Sequence, residues 1–403
     1  MTEPFERPSS RISSRVLAVA LAGAAIMVGA GCAESQDSSG DAPAIESGKV
    51  ESRTVDSVAV DPSGNVFNPA EIYENAADGV IAVGAIFGDG GSNPFGSGAA
   101  QGSGFVLSED GEIVTNAHVI TDGEGEARTP AEEVFVEFRN GEVIPAEVIG
   151  FDPFTDTGLL KVDPDAIDLQ PLPIGNSDRL VVGEPLAVIG SPFGEDSSLS
   201  TGIVSQIARS IRSLTDFRIE GAIQTDASIN PGNSGGPMLD SNGDVIGISQ
   251  QIITRSGAND GVGFGVPINS VIQSVEQLRE QGEVRYAYIG VSTQAIYRQL
   301  AERLGLDSAE GVIVAEVVDG GPADRAGIKG GKREIEFQGA RIPIGGDIIV
   351  EAAGEEVVEA EDLGRIIAAQ RVGDTIEMVV IRDGRRETIE VELGERPTAL
   401  DNG

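Results

Sequence analysis

Asn230-Pro231-Gly232-Asn233-Ser234-Gly235-Gly236-Pro237 is the segment on which the reading of the fold turns. A serine set among glycines can occupy a tight loop whose backbone N–H groups converge on one point. Convergent N–H groups stabilise the oxyanion of an acyl-transfer intermediate. Taken alone, glycine-rich text around a serine marks a turn more often than a nucleophile. A second segment changes that balance. Thr115-Asn116-Ala117-His118-Val119 follows an apolar run and holds the only histidine of the chain, where a strand gives way to a loop or short helix. A serine hydroxyl needs an adjacent base to attack, and imidazole serves near neutral pH. A lone histidine is usually structural, but together the two segments read as nucleophile, Ser234, and base, His118.

Such a pair needs a carboxylate to fix the imidazole tautomer and stabilise the imidazolium. The stretch Asp152-Pro153-Phe154-Thr155-Asp156-Thr157-Gly158-Leu159-Leu160-Lys161-Val162 offers two, Asp152 and Asp156, both beside the start of an apolar strand. The residue pattern leaves both open.

The surroundings fit a β-rich chain of several units. At 403 residues, two or three domains are the natural expectation. Glycine is abundant at 54 residues and aromatics are scarce at 4%, which favours short strands and many turns over a helical bundle. From Phe67 to about Gly282 short apolar runs alternate with polar or glycine-rich turns, as in Gly79–Ile86, Gly104–Leu107, Val134–Phe138, Leu186–Ile189 and Val245–Ser249. That spacing suggests a barrel or sandwich. The unit closes on a helical pattern over Asn269–Gln281, with Val271, Ile272, Val275 and Leu278 on one face. A smaller unit follows from about Val284 to Pro397, with helices expected at Ile296–Leu304 and Glu361–Gln370.

Before these lie Arg7, Arg11 and Arg15 and an uncharged run from Val16 to Gly31, shorter than the ~20 residues a spanning helix needs and suited to an export signal. A solvated linker over residues 33–66 follows. With 65 acidic and 28 basic residues the net charge is −37, so the surface would repel a phosphate backbone and nucleic-acid binding is excluded. One cysteine and one histidine rule out intrachain disulfides, cysteine clusters and multi-histidine metal sites. No metal or organic cofactor is expected.

Taken together, His118, the acid and Ser234 in that chain order, with TNAHV and GNSGGP, resemble the chymotrypsin fold and its HtrA/Deg branch. The likeness runs from Gly102-Ser103-Gly104-Phe105-Val106 through Gly190-Ser191-Pro192-Phe193-Gly194, Gly202-Ile203-Val204-Ser205 and Gln224-Thr225-Asp226 to Gly261-Val262-Gly263-Phe264-Gly265-Val266-Pro267. It implies a mostly β protein, a chymotrypsin-like double β-barrel. By this resemblance Asp156 takes the acid's place, and the N–H groups of Gly232 and Ser234 form the oxyanion hole. It further implies that Arg209 lies in a loop that senses effector peptides. The family reads Asp-Leu-Ala where this chain has Asp156-Thr157-Gly158, and the glycine is expected to loosen the strand start. In trypsin-type relatives the position of Ser228 is an Asp that attracts Arg or Lys. An uncharged pocket with Ile248 on its wall should prefer small or branched apolar side chains.

Downstream, Tyr288-Ile289-Gly290-Val291 resembles the carboxylate-binding loop of the small α+β PDZ domains attached to HtrA proteases. Gly311-Val312-Ile313-Val314, Gly321-Pro322-Ala323, Ala326-Gly327-Ile328, Gly345-Gly346-Asp347-Ile348-Ile349 and Val372-Gly373-Asp374 extend the match. Such a domain adds a peptide's C-terminus as a strand while N–H groups hold its carboxylate. Gly330–Pro343 is an insertion expected as an exposed loop. Ala30-Gly31-Cys32 resembles a lipobox, which implies lipidation at Cys32 and a membrane tether; Gly29 stands where the family pattern has Leu.

The expected division is thus an export or lipoprotein signal over 1–32, a linker over 33–66, a protease domain over 67–282 and a PDZ domain over 284–397. The expected activity is peptide-bond hydrolysis outside the cytoplasm. The family implies unfolded or damaged proteins as substrates, free peptide C-termini as ligands and a homotrimer. A catalytically idle chaperone or peptide-binding protein is the rival expectation.

Overall fold

The short β-branched runs become two closed six-stranded barrels, drawn here from a computed structural model that describes residues 64, 66–88, 98–191, 197–250, 261–306 and 310–399. The export segment with Cys32 lies outside the described residues. In the first barrel the strand order is Val80–Ile86, Ala99–Val106, Glu112–Asn116, Thr157–Lys161, Val143–Asp152 and Glu133–Glu137, closing back on Val80–Ile86. In the second it is Ser198–Arg212, Arg218–Thr225, Gly263–Pro267, Val245–Gln250, Pro237–Leu239 and Pro185–Gly190.

Alternation along the strands divides the apolar residues among three cores. Ile81 points into the first barrel, with Ile113, Val136 and Leu160. Leu186 and Val188 point into the second, with Val204 and Met238. Their neighbours Val80, Ala187 and Ile189 point outward into a core shared between the barrels. Helix Ile268–Gln281 seals that core with Val271, Val275 and Leu278 and stops at Gly282, in the left-handed region at φ 75°. Each fully buried aliphatic side chain contributes roughly 1.5–3 kcal/mol, so the two barrels are held in one relative position. The seam between them is where residues from both can meet.

The C-terminal unit is a sheet in the order Val291–Ala295, Val312–Val317, Ile348–Ala352, Thr375–Arg382, Arg385–Glu392. Helix Ala360–Ala368 covers one face with Leu363, Ile366 and Ile367. The helices expected from periodicity appear within two residues or so of their expected bounds, as Ile268–Gln281, Arg298–Leu304 and Ala360–Ala368. Two proline-initiated helices, Pro69–Ala76 and Pro322–Ala326, had no such expectation. Gly330–Pro343 is corrected from loop to hairpin: Arg333–Phe337 pairs with Ala340–Ile344. Gln338 and Gly339 form its turn with φ 51° and 81°, the signs a two-residue hairpin turn requires. The physical reason is an alternation hidden among the charges. Ile335, Phe337, Ile342 and Ile344 all face a second core with Ile296 and Leu300.

At the junction of the units, the Tyr286 hydroxyl donates to Asp152 Oδ2 at 2.6 Å. The Arg396 guanidinium lies 5.6, 5.1 and 5.4 Å from the ring centres of Phe154, Phe217 and Tyr286, within cation–π range.

Candidate active site

Strand pairing sets His118 and Asp156 side by side. Glu112–Asn116 pairs with Thr157–Lys161, with Asn116 opposite Thr157. His118 therefore starts just beyond the end of one strand, on the short helix Ala117–Ile120, and Asp156 sits just before the start of the other. His118 Nδ1 and Asp156 Oδ2 are 2.7 Å apart, and the His118 backbone N–H donates to Asp156 Oδ1 at 2.9 Å. Asp156 is fully buried and adopts φ 55°, a left-handed conformation that costs a non-glycine residue about 1–3 kcal/mol. Its carbonyl is held by the Asn116 side-chain amide at 2.9 Å and the Ala117 N–H at 3.0 Å. The strain is sustained by these bonds, and the carboxylate is aimed by them.

Asp152 is equally buried but serves elsewhere. It accepts from Phe154 N–H, the Thr155 hydroxyl, the Ser274 hydroxyl and the Tyr286 hydroxyl, at 2.6–2.8 Å. The competition between the two carboxylates is resolved by which one reaches the imidazole. The expectation for Gly158 is corrected. A Cβ there would lie 2.6 Å from Ile120 Cδ1, so the missing side chain lets the His118 helix pack closely on the strand. The strand start is paired on both sides, with Gly158 opposite Thr115 and Phe151.

Ser234 stands on the far side of the seam, 3% exposed. Gly235, at φ 86°, fits where a Cβ would meet the Ser103 carbonyl at 2.2 Å, so no other residue fits without moving the backbone. Ser103 braces the loop from the first barrel. Its N–H donates to the Ser234 carbonyl at 2.7 Å, its hydroxyl donates to the Gly232 carbonyl at 2.6 Å, and that hydroxyl accepts the Ser191 N–H at 2.8 Å. The Asn233 N–H is taken by the Asn230 carbonyl at 3.0 Å. Among the described residues nothing accepts the N–H groups of Gly232 or Ser234, the two expected to face an oxyanion. The Ser234 hydroxyl makes no hydrogen bond, so the contact to His118 is not formed in this state. Catalytic contacts of this kind often close only when substrate binds.

Burial pulls the His118 imidazole pKa down, but the charge and hydrogen bond of Asp156 together outweigh it. Arg128, nearby, adds a smaller downward pull. The balance leaves His118 above its ordinary value, while its side chain keeps 32% of its surface open to solvent.

The remaining expected residues are placed as follows. Ser228 is exposed, on the loop before the nucleophile. Ile248 is corrected as a pocket wall: it is fully buried in the shared core and has no surface to offer. Arg209 is corrected from loop to strand: it stands exposed on Ser198–Arg212, paired opposite Ala222, with Nε donating to Gln224 Oε1 at 3.0 Å. Tyr288 pairs with Gly394, Ile289 is buried, Gly290 has φ 79°, and Val291 opens an edge strand of the C-terminal sheet. The carbonyls of Ile289 and Gly290 accept from Ala323 and Val318, while no described hydrogen bond uses the N–H groups of either residue. Two contributors had no role in the sequence reading. Ser103 was legible only as part of a matching motif, and Gln250, which donates to Asp156 Oδ2 at 2.9 Å, carried no signal at all.

Comparison with known proteins agrees with this geometry. The model of the trypsin-like peptidase domain matches residues 102–248, and that of the PDZ domain matches residues 287–393. A probable periplasmic serine endoprotease, DegP-like, of Halomonas elongata is 40% identical over 296 residues, covering 73% of this chain and 56% of the relative. The relative of the same description from Pseudomonas putida W619 is 38% identical over equal shares. The chain thus spans little more than half the length of these curated relatives. Among solved structures, an HtrA-type protease, AlgW, with a tripeptide has a TM-score of 0.68 at 32% identity, covering 82% of this chain and 98% of that one. A serine endoprotease from Yersinia pestis has a TM-score of 0.58 at 28% identity, covering 82% and 98%.

Proposed function

Because the chain belongs to the HtrA family of trypsin-like serine proteases carrying a PDZ domain, we propose that it hydrolyses peptide bonds through an acyl-Ser234 intermediate. The observation that carries this reading is the His118–Asp156 pair at 2.7 Å, with unengaged N–H groups at Gly232 and Ser234. In the first step Ser234 Oγ forms a bond to the scissile carbonyl carbon while His118 Nε2 takes its proton. The carbonyl oxygen becomes an oxyanion held by the two N–H groups. The imidazolium, stabilised by Asp156, then protonates the leaving amine as the C–N bond breaks. Water repeats the sequence on the acyl-enzyme, with His118 again as base then acid.

On the same reading, residues 67–282 are the protease, 284–397 the PDZ domain, 33–66 a linker and 1–32 an export segment. The protein works outside the cytoplasm, as the names of its relatives say of them. Its substrates are unfolded or damaged proteins and it assembles as a homotrimer with Arg209 as a regulatory residue, which follow from the family likeness; the uncharged Ser228 supports cleavage after small or branched apolar residues. The edge strand at Val291 and the free N–H groups at Ile289 and Gly290 support capture of a peptide C-terminus. Cys32 carries a lipid, so Cys32→Ser should move the protein from the detergent phase to the aqueous phase. An unchanged partition would mean an uncleaved signal anchor.

The rival reading, an idle chaperone, draws on one observation: the Ser234 hydroxyl is not hydrogen-bonded to His118. A fluorophosphonate decides between them by phosphonylating an activated serine. Labelling should map to Ser234 alone. Its rate should rise with pH as His118 is deprotonated, through a midpoint above the ordinary histidine value, because only the neutral ring accepts the Ser234 proton. Adding a peptide with a free apolar C-terminus should speed labelling, and its amidated form should not. No labelling at any pH would establish the idle reading, and equal action of the two peptides would remove the carboxylate-loop role of Tyr288–Val291.

A further inference from the structure

Arg128 stands half-buried near His118, in the turn of the hairpin that pairs Thr121 with Pro130 and Asp122 with Thr129. Among the described residues its guanidinium makes one hydrogen bond and no ion pair. We propose that Arg128 forms an anion subsite on the leaving-group side of the cleft, which receives an Asp or Glu carboxylate of the substrate just beyond the scissile bond. The inference deepens the reading of the chain as a protease and rests on the roles read for His118 and Ser234.

The turn closes on itself, with the Ala127 N–H on the Glu124 carbonyl at 3.1 Å and the Arg128 N–H on the Gly125 carbonyl at 3.3 Å. Arg128 Nη1 donates to the Thr121 hydroxyl at 2.8 Å, and that hydroxyl donates to the Ala117 carbonyl at 2.7 Å. The cation is thereby tied to the start of the helix that bears His118. A brace of that kind needs one N–H, and a guanidinium has five. Nε is buried with no partner, a desolvation cost that a neutral brace would avoid, and burial pulls the guanidinium pKa down. Asp122 and Glu124 are near enough to attract the charge, yet neither pairs with it. The chain has 65 acidic residues against 28 basic ones. A partly desolvated cation left without a carboxylate in such a chain fits a ligand that brings its own.

The chemistry sets the side. The acyl half of a substrate becomes bonded to Ser234, and Ser228 lies on the loop before that residue, so the acyl half rests against the second barrel. The leaving amine takes its proton from His118 Nε2. The leaving chain therefore starts at His118 and runs out past the helix Ala117–Ile120 and the hairpin that follows it, where Arg128 sits. Arg128 also acts on the catalytic pair: its charge is attracted by Asp156 and opposes a proton on His118. A substrate carboxylate on Arg128 offsets that opposition while the imidazolium exists, so the gain falls on kcat as well as on binding.

The test uses internally quenched fluorescent peptides with a small apolar residue before the cut and an amidated C-terminus, which keeps the carboxylate loop of the PDZ domain silent. Members of a set differ only in the first or second residue after the cut, which is Asp, Ser or Lys. The full-length wild type should cleave the Asp peptide with kcat/KM about 10-fold above that of the Lys peptide, the scale of a hydrogen bond between charged groups. Added salt should shrink the ratio. Arg128→Gln should bring it to about 1, and Arg128→Glu should invert it. The ratio is the readout because losing the cation also shifts His118, equally for every peptide. The same peptides are titrated onto Ser234→Ala protein, with and without Arg128→Glu, where binding is seen without turnover. A wild-type ratio near 1, a ratio that both variants leave in place, or a preference only for acids before the cut overturns the inference. Cleavage of no peptide by the wild type, with tighter binding of the Asp peptide that Arg128→Glu reverses, defeats the protease reading and leaves the anion subsite standing. Binding without discrimination in that case overturns both.

Discussion

Ser234→Ala should reduce casein degradation by about 10⁴- to 10⁶-fold, the loss usual when the nucleophile of a triad is removed. The variant should unfold at the same temperature as the wild type. Ser234 is nearly enclosed but its hydroxyl has no hydrogen bond to lose, and exchanging O–H for H opens little space. The backbone bonds that shape the loop, from Ser103 to Ser234 and from Gly235 to Ser249, do not involve the side chain. A buried polar atom without a partner is removed, so stability can even rise slightly. Casein cleavage by the pure variant above about 1% of wild type would defeat the assignment of Ser234.

Asp156→Asn should cost about 10⁴-fold in kcat, the scale seen when a triad acid becomes an amide. The carboxylate accepts three N–H donors: two from His118 and one from Gln250. A carboxamide has one acceptor oxygen and one NH₂, so whichever way it turns, N–H groups face each other on one side. If the NH₂ faces the ring, His118 Nδ1 must become the acceptor and its proton moves to Nε2. The base is then protonated on the atom that must receive the Ser234 proton. The same change also removes the charge that raises the His118 pKa, so the ascending limb of kcat/KM should fall towards more acid pH. The ¹⁵N tautomer of the ring checks the first effect and a pH profile the second. A loss of this size in Asp152→Asn, with Asp156→Asn near wild type, would reverse the assignment.

These expectations separate what local sequence encodes from what folding assembles. Ser234 and His118 stood out because the roles read for them impose local demands: glycines where the chain folds tightly, and the only imidazole in 403 residues. The periodicities of the barrels and of the helices Ile268–Gln281 and Ala360–Ala368 were legible for the same reason, since a strand or helix repeats its apolar positions within a few residues. The hairpin at Arg333–Ile344 obeys that rule as well, but its glycines and charges concealed the alternation.

Other features were open until the chain closed on itself. Asp152 and Asp156 are alike in sequence, and only strand pairing turns one towards His118 and the other towards Ser274 and Tyr286. Gly158 read as a weakness because its neighbour in space, Ile120, is distant in sequence. Ile248 read as a pocket wall because the sequence does not reveal which face of its strand is turned inward. Ser103 and Gln250 meet Ser234 and Asp156 across the seam, from segments far apart along the chain. By itself the sequence determined the class of fold and singled out Ser234 and His118, because these readings rest on composition and short-range pattern. The tertiary structure decided which carboxylate meets His118, what braces Ser234 and which donors the Asp156 carboxylate accepts, because hydrogen bonds depend on distance and direction that spacing along a chain does not carry.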